Sequence, residues 1–246
     1  LMPASLKDIA KELNLSKTTV SWVLSGQAQQ KGISEATANK VIEHAMKLNY
    51  QPNLIARSLN TGTTKTIGLI LPSISDGFYS GVAREIENEA RRSGYSLMIS
   101  SSESDIGRED EIIRLFKAKG VDGIIVAPTK RSKVEIQRLI DESYPLVTID
   151  RYFPELNATY IIINNRDSSY MLTKHLIHKG CKKIAILTTN SHLVTMNQRR
   201  EGYEDALRDS KLSIDPNLYG EVYYVDYEKN IYKVLAVQKV FNSIRN

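Results

Sequence analysis

The sequence predicts an α/β protein with an all-helical amino-terminal headpiece followed by a doubly wound, parallel-sheet body. Up to about residue 50, apolar side chains recur at helical spacing. From Thr66 onward, short apolar strands alternate with amphipathic helices. Strands that are apolar throughout are typical of a parallel sheet covered by helices on both faces. Such sheets hold ligands at the carboxyl ends of their strands, where we expect a binding site.

Two short helices joined by a tight turn open the chain. Ser5 and Asp8 have the S-x-x-D form of a helix start, in which the serine oxygen accepts from a free N–H. After a turn at Asn14-Leu15, Ser16 can cap a second helix from about Lys17 to Leu24. Small polar side chains face outward on that helix, which predicts a helix-turn-helix that enters a DNA major groove. The plainer alternative is a small helical hairpin with a solvated polar face.

The charge distribution supports attraction to phosphates. The net charge is +5, and residues 1–60 carry seven Lys or Arg against four Asp or Glu. The first quarter of the chain therefore holds most of the excess, and cationic surfaces bind nucleic acid with strong salt dependence. Because an excess of three positive charges is modest, the prediction of DNA binding depends chiefly on the helix-turn-helix.

The segments after the turn divide the chain into four parts. Ser34 caps a third helix that ends at Asn49-Tyr50, and the six residues 54–59 have helical composition. A helix this short is unstable alone, so we expect it to fold on DNA beside its twin from a second subunit. The predicted divisions are a headpiece at 1–50, a hinge helix and linker at 51–64, a first lobe at 65–159 and a second, incomplete lobe at 160–246.

The body is predicted to contain seven strands and five helices. The strands are 67–71, 95–100, 123–127, 146–149, 160–163, 183–187 and 221–225. The helices between them are 78–93, 109–119, 134–141, 167–179 and 199–209. This alternation predicts a ligand site where the strands end.

Aromatic and acidic side chains stand at those strand ends. Phe78 and Tyr79 open the first body helix after Asp76-Gly77, and aromatic faces stack on sugar rings. Asp150 ends the fourth strand, and a carboxylate can make paired hydrogen bonds to neighbouring hydroxyls. The alternative is that the two aromatic residues belong to the core and Asp150 forms a plain ion pair with an arginine, Arg199 or Arg151.

Four motifs in order resemble those of the LacI/GalR family of bacterial transcription repressors. They are Leu6-x-Asp8-Ile9-Ala10, Ser16-x-x-Thr19-Val20-Ser21, Leu48-Asn49-Tyr50-x-Pro52-Asn53 and Ala56-Arg57-Ser58-Leu59. The resemblance runs from Ser5 to about Asn246. It implies a helix-turn-helix headpiece, a hinge helix and a two-lobed body like the type I periplasmic binding proteins. The family runs on through further strand–helix units, hence the expectation of an incomplete second lobe.

The resemblance also implies which residues bind DNA. Lys17, Thr18 and Ser21 would lie near base edges, and Leu59 would wedge into the minor groove at the operator centre. Trp22 stands where most members carry Arg; it packs on a thymine methyl or sugar, or it covers the headpiece core. The residues assigned to DNA are Ser5, Leu6, Ser16, Lys17, Thr18, Thr19, Ser21, Trp22, Tyr50, Asn53, Ala56 and Leu59.

The resemblance extends to a small-molecule site. Arg199 aligns with the arginine that the family uses to hold its ligand, and Asp226-Tyr227 matches an acid followed by an aromatic residue. The expected effector is a sugar bound between the lobes. The residues assigned to it are Asp76, Phe78, Tyr79, Asp150, Arg199, Asp226 and Tyr227.

The expected partners are therefore a near-palindromic double-stranded operator, a sugar and a second copy of the chain. We expect no cofactor and no catalysis, because the G-x-G-x-x-G, P-loop and G-x-S-x-G patterns are missing. His175-x-x-His178-x-x-Cys181 has only superficial metal spacing, so no metal is expected. A doubly wound enzyme and a sugar-binding protein without DNA activity are the two alternatives.

The expected location is the bacterial cytoplasm, in association with the nucleoid. A single cysteine, Cys181, excludes an internal disulfide framework and is typical of a reducing compartment. The sequence has neither an apolar run long enough to cross a bilayer nor a secretory segment at its start, so no membrane is expected.

Overall fold

A computed structural model describes residues 4–51, 58–59, 61–129, 131–189, 193–222, 237–238 and 241–242. The chain divides into two compact units, Leu1–Gly62 and Thr63–Asn246. The first contains the headpiece and the second the body. Among the described residues, no helix combines the length and apolar character that crossing a membrane requires.

Three helices form the headpiece: α1 (Leu6–Glu12), α2 (Lys17–Leu24) and α3 (Glu35–Lys47). Each begins after a serine whose side chain accepts a backbone N–H from the first turn, as predicted for all three. The helices meet at a small core in which one side chain from each is fully buried, namely Ile9, Val20 and Val41.

The turn between α1 and α2 is fixed by one backbone conformation. Asn14 has a φ of +49°, in the left-handed region that asparagine tolerates better than most residues. The following Leu15 N–H donates to the Ala10 carbonyl at 2.9 Å, which closes the end of α1. The predicted helix-turn-helix is therefore confirmed in its elements and its turn.

The body begins with a parallel five-stranded sheet in the order β2-β1-β3-β4-β5. Its strands are β1 (Thr66–Leu71), β2 (Ser96–Ser101), β3 (Gly123–Val126), β4 (Leu146–Ile149) and β5 (Thr159–Ile161). The connecting helices are α4 (Gly77–Arg92), α5 (Ile106–Ala118) and α6 (Lys133–Asp141). The strand order reverses direction at β1 and β3, so the predicted doubly wound fold is confirmed.

Both faces of this sheet are covered. Phe116 of α5 packs on one face so closely over Gly68 that a Cβ at residue 68 would overlap its ring. Leu69 and Leu71 face the other cluster, which includes Tyr79 of α4. The edge strand β5 pairs with β4 and crosses the boundary predicted between residues 159 and 160, so the first sheet extends to Ile161.

A second, two-stranded parallel sheet follows in the body. β6 (Ile186–Thr189) pairs with β7 (Tyr219–Val222), and the helices α7 (Asn165–His178) and α8 (Val194–Asp209) precede and connect them. A short 3₁₀ helix, Pro216–Leu218, leads into β7. We call these elements the second lobe, and the five-stranded sheet with its helices the first lobe.

Several predicted boundaries are wrong by a few residues. α5 begins at Ile106 rather than 109, because the Asp105 side chain caps it by accepting from the Arg108 N–H at 2.7 Å. The strand predicted at 183–187 is β6, at 186–189. Its start is displaced because the Ile184 carbonyl accepts from Tyr203 Oη at 2.6 Å. The strand predicted at 221–225 begins at 219, and residues 223–225 lie outside the described part of the chain.

A buried carboxyl group supports the loop that follows β3. Glu109 of α5 is 0% exposed, and its Oε2 accepts from the backbone N–H of Thr129 at 2.9 Å. In the same loop, Ser132 Oγ donates to the Thr129 carbonyl at 2.9 Å. Burial raises the pKa of Glu109 to about 7, against the opposing effects of Ser132, the Thr129 N–H and Arg151. Glu109 thus links α5 to the carboxyl edge of the sheet.

Glu109→Gln is predicted to change the pH dependence of stability. Because the folded-state pKa of about 7 exceeds the ordinary 4.5, the folded protein binds this proton more tightly than the unfolded chain does. The stability that this tighter proton binding contributes is fully present below the ordinary pKa of 4.5. It is lost as the pH rises through the folded-state pKa of about 7. Between pH 5 and 8, the free energy of unfolding of wild type should therefore fall by up to about 3 kcal/mol relative to that of the glutamine variant.

Urea denaturation at both pH values measures this difference. Glu111→Gln, at an exposed position of the same helix, is the matched control and should show no such change relative to wild type. Parallel behaviour of the Glu109 and Glu111 variants at both pH values would contradict the account.

Candidate functional site

The amino-terminal ends of α1 and α2 are organised by side-chain caps. Ser5 N–H donates to Asp8 Oδ2 at 2.8 Å while Ser5 Oγ accepts from the Asp8 N–H, a reciprocal capping box. The bonds from Ser5 hold the pKa of Asp8 below its ordinary value. In α2, Ser16 Oγ accepts from the Thr19 N–H at 2.9 Å and also bonds Thr19 Oγ1 at 2.8 Å. Ser5, Ser16 and Thr19 are thus placed at helix starts by local bonds.

The outward face of α2 carries three polar side chains. Lys17, Thr18 and Ser21 are exposed, and none of the three side chains forms a hydrogen bond or an ion pair with another described residue. Their donors and acceptors are therefore available to an external partner. Val20 and Val23 are buried on the opposite side, so the helix is amphipathic as predicted.

Trp22 lies at the edge of this face rather than in the headpiece core. The ring is half-buried and is not among the described apolar side chains that form or cover that core. Lys31 Nζ lies 5.2 Å from the ring centroid, within the range of a cation–π contact. This position favours the alternative in which the indole meets an external surface beside a cation.

The remaining headpiece candidates have different surroundings. Leu6 and Tyr50 pack against the headpiece core, and desolvation raises the pKa of the Tyr50 hydroxyl. Leu59 is 81% exposed. Asn53 and Ala56 lie outside the described residues.

In the body, Tyr79 and Asp150 meet at the carboxyl edge of the first sheet. Tyr79 Oη donates to Asp150 Oδ2 at 2.7 Å. Phe78 is 55% exposed and packs edge-on against Tyr79, with ring centroids 5.1 Å apart. Asp76 accepts from the Phe78 N–H at 2.8 Å and so caps α4. The structure therefore brings Phe78, Tyr79 and Asp150 together and gives Asp76 a structural contact.

Asp150 and Arg199 are not paired with each other. Asp150 adopts a φ of +59°, a strained conformation for a residue other than glycine, and its carboxylate lies 3.7 Å from Arg151 Nε. Arg199 Nε instead donates to Asn165 Oδ1 at 2.7 Å. The ion-pair alternative for Asp150 thus holds for Arg151 and not for Arg199. Asp226 and Tyr227 lie outside the described residues.

Four side chains near this site were not predicted from the sequence. Tyr152 and Tyr160 stack with ring centroids 4.4 Å apart, and Gln198 Nε2 donates to Tyr152 Oη at 3.4 Å, which joins the second lobe to the first. Asn165, the partner of Arg199, is buried at the start of α7. The one signal in the sequence for Tyr152 is its position two residues after Asp150, which places it near the end of a strand.

His175, His178 and Cys181, which have superficial metal spacing in the sequence, lie at the end of α7 and just after it. Among the described residues, no group of three or more His, Cys, Asp or Glu side chains is arranged to hold a metal ion. His178 Nδ1 is within 3.2 Å of the Lys174 carbonyl, one turn earlier in α7, which is an ordinary helix contact.

A helix-turn-helix headpiece joined to a two-lobed α/β body defines a DNA-binding regulator with a small-molecule binding domain. Residues 5–53 match the family of bacterial regulatory proteins named lacI. Residues 64–219 match the family described as periplasmic binding proteins and the sugar binding domain of the LacI family. The chain belongs to the LacI family.

Individual relatives agree with this assignment. The chain is 33% identical over 238 residues to the ribose operon repressor of Haemophilus influenzae, covering 96% of this chain and 69% of that protein. It is 32% identical over 240 residues to the transcriptional repressor PurR of Aliivibrio fischeri, covering 96% and 70%. The crystal structure of the lac repressor dimer bound to operator and an anti-inducer matches with a TM-score of 0.75. It is 22% identical and covers 86% of this chain and 64% of that one, so it shows likeness of fold.

Proposed function

We propose that this chain represses transcription as a homodimer whose two headpieces bind the halves of a near-palindromic operator. The observation that carries the proposal is the outward face of α2, where Lys17, Thr18 and Ser21 have no partner among the described residues. Short hydroxyls and a cation on a groove-sized helix suit base edges and phosphates. Two-fold symmetry of the protein requires a matching symmetry in the site.

The proposal extends to the hinge and to the caps. Ser5, Ser16 and Thr19 would position the headpiece on phosphates, with Leu6 and Tyr50 supporting it. Leu59, 81% exposed, would enter the minor groove at the operator centre, with Asn53 and Ala56 lining that contact. The energy of unstacking a base step, a few kcal/mol, would be offset by the extra surface that a kinked duplex offers.

We further propose that a sugar between the lobes controls operator affinity. Phe78 supplies an exposed aromatic face, Tyr79 and Asp150 a hydrogen-bonded pair, and Arg199 a guanidinium, with Asp226 and Tyr227 completing the set. A ligand that favours the closed lobes would spread the hinge segments and weaken operator binding. By linkage, the operator-bound form would then bind the ligand less tightly. This role needs neither catalysis nor a cofactor, and it places the protein on the chromosome in the bacterial cytoplasm.

Operator binding tests the proposal directly. A duplex selected from a random library by the full chain is titrated at 50 and 200 mM salt, with a scrambled duplex for comparison. If 6–10 phosphates are contacted, affinity should fall on the order of 10³–10⁵-fold between the two salt concentrations. Ser21→Ala should weaken binding to the selected duplex only, whereas Asn39→Ala, at an exposed position of α3, should leave both affinities unchanged.

The same titration, repeated with D-ribose and a panel of hexoses, disaccharides and sugar phosphates, tests the effector. A sugar that lowers affinity is an inducer, and one that raises it is a corepressor. Equal, salt-independent affinities for the selected and scrambled duplexes would refute the DNA-binding role, and a panel without effect would refute the sugar role.

Trp22→Arg is predicted to change the base preferred at one position of each half-site. Arginine reads guanine with two parallel hydrogen bonds, whereas an indole presents an apolar face and a single donor. Site selection with both proteins measures the change, and Trp22→Phe, which keeps an apolar ring, is the matched control and should keep the wild-type preference. Identical selected sequences for Trp22→Arg and wild type would overturn the assignment of Trp22 to the DNA surface.

A further inference from the structure

A buried amide stands behind the arginine of the proposed effector site. Asn165, the first residue of α7, is 2% exposed, and it is the nearest described polar partner of Arg199 on α8. The two residues are 34 positions apart in the chain, so their contact depends on the packing of α7 against α8. Buried polar side chains are held where both of their hydrogen-bonding functions are satisfied.

Both functions of the Asn165 amide are used. Oδ1 accepts from Arg199 Nε at 2.7 Å, and Nδ2 donates to the Ile163 carbonyl at 3.0 Å. A side chain at this position must therefore present an acceptor toward the guanidinium and a donor toward the backbone. Aspartate retains the first function and loses the second, and leucine, of similar size, loses both.

The bond to Nε leaves the far end of the guanidinium available. Arg199 Nη1 has only Met196 Sδ, 3.9 Å away, as a weak partner. Among the described residues, no carboxylate lies within 4.0 Å of this guanidinium, so Arg199 forms no ion pair within that part of the chain. A guanidinium anchored at Nε presents its two terminal nitrogens as a fork, the geometry suited to paired oxygens.

The backbone fixes the distance between the two residues. Gly202, one turn after Arg199, lies against Arg166 so closely that a Cβ at residue 202 would overlap the Arg166 carbonyl oxygen. α7 and α8 therefore meet at van der Waals distance immediately beside the Asn165–Arg199 pair. A pocket of about 280 Å³ adjoins it, lined by residues 162–166 and Gln198.

We infer that Asn165 is a positioning residue for effector recognition: it anchors Arg199 at Nε and thereby aims the terminal nitrogens of the guanidinium at a ligand with neighbouring hydroxyl or acidic oxygens. The inference rests on the proposed effector role of Arg199. Pre-ordering matters here because fixing an arginine side chain costs rotamer entropy. Asn165 moves that cost from binding to folding.

The first test observes Arg199 itself in the full chain without any ligand. In protein labelled at arginine with ¹⁵N, the Nε–H signal of Arg199, assigned with Arg199→Lys, should exchange slowly with solvent. Asn165→Leu should lose this protection and Asn165→Asp should keep it, with Ser168→Ala, at an exposed position of α7, as the control. An unprotected Nε–H in wild type, or one unaffected by Asn165→Leu, overturns the inference.

The second test uses the panel sugar that shifts operator binding in the experiment above. Asn165→Leu should weaken its binding on the order of tenfold, the worth of a hydrogen bond to a charged group. In the Arg199→Lys background the same change should cost nothing further, because the anchored group is gone. Equal losses in both backgrounds indicate a merely structural role and overturn the inference. If no sugar acts on wild type, the proposed effector role fails, and Nε–H exchange alone decides whether Asn165 holds Arg199.

Discussion

The packing of α2 into the headpiece core determines which side chains the chain offers to a partner. Val20 and Val23 are buried between the helices, and on a helix of only eight residues these two positions fix its rotation. Lys17, Thr18 and Ser21 consequently point outward. Because three short helices bury little surface, the headpiece depends on this small core, and the proposed DNA surface depends on the same contacts.

A second constraint orders the body. Parallel pairing of β1, β3 and β4 puts their carboxyl ends at one edge of the sheet, where Tyr79 bonds Asp150 at 2.7 Å. The loop after β3 reaches the same edge and is held by the buried Glu109. A polar site is thereby built on rigid elements, and the contact between Gln198 and Tyr152 ties the second lobe to it.

Helix starts that are marked by neighbouring residues could be predicted from the sequence, whereas contacts between residues far apart in the chain could not. The serine caps of α1, α2 and α3 announce their helices because a cap acts within three residues. The start of α8 at Val194, five residues earlier than predicted, gives no signal in the sequence because its N-cap, Leu193, has no side chain able to cap. The bond between Asn165 and Arg199 joins residues far apart in the chain, so no local pattern predicts it. The strand ends indicate where the proposed effector site lies, but tertiary packing decides which side chains pair within it.

The proposed DNA surface requires that the outward face of α2 lie in the major groove of the operator. Photo-crosslinking tests it, with a benzophenone side chain introduced singly at Thr18 on α2 or at Glu43, an exposed position on α3. Each full-length variant is irradiated on the selected duplex and the crosslinked bases are mapped. Crosslinks to bases within each half-site are expected from position 18, and none from position 43. Crosslinks from position 43 alone, or none to bases from position 18 in a variant that still binds the duplex, would contradict it.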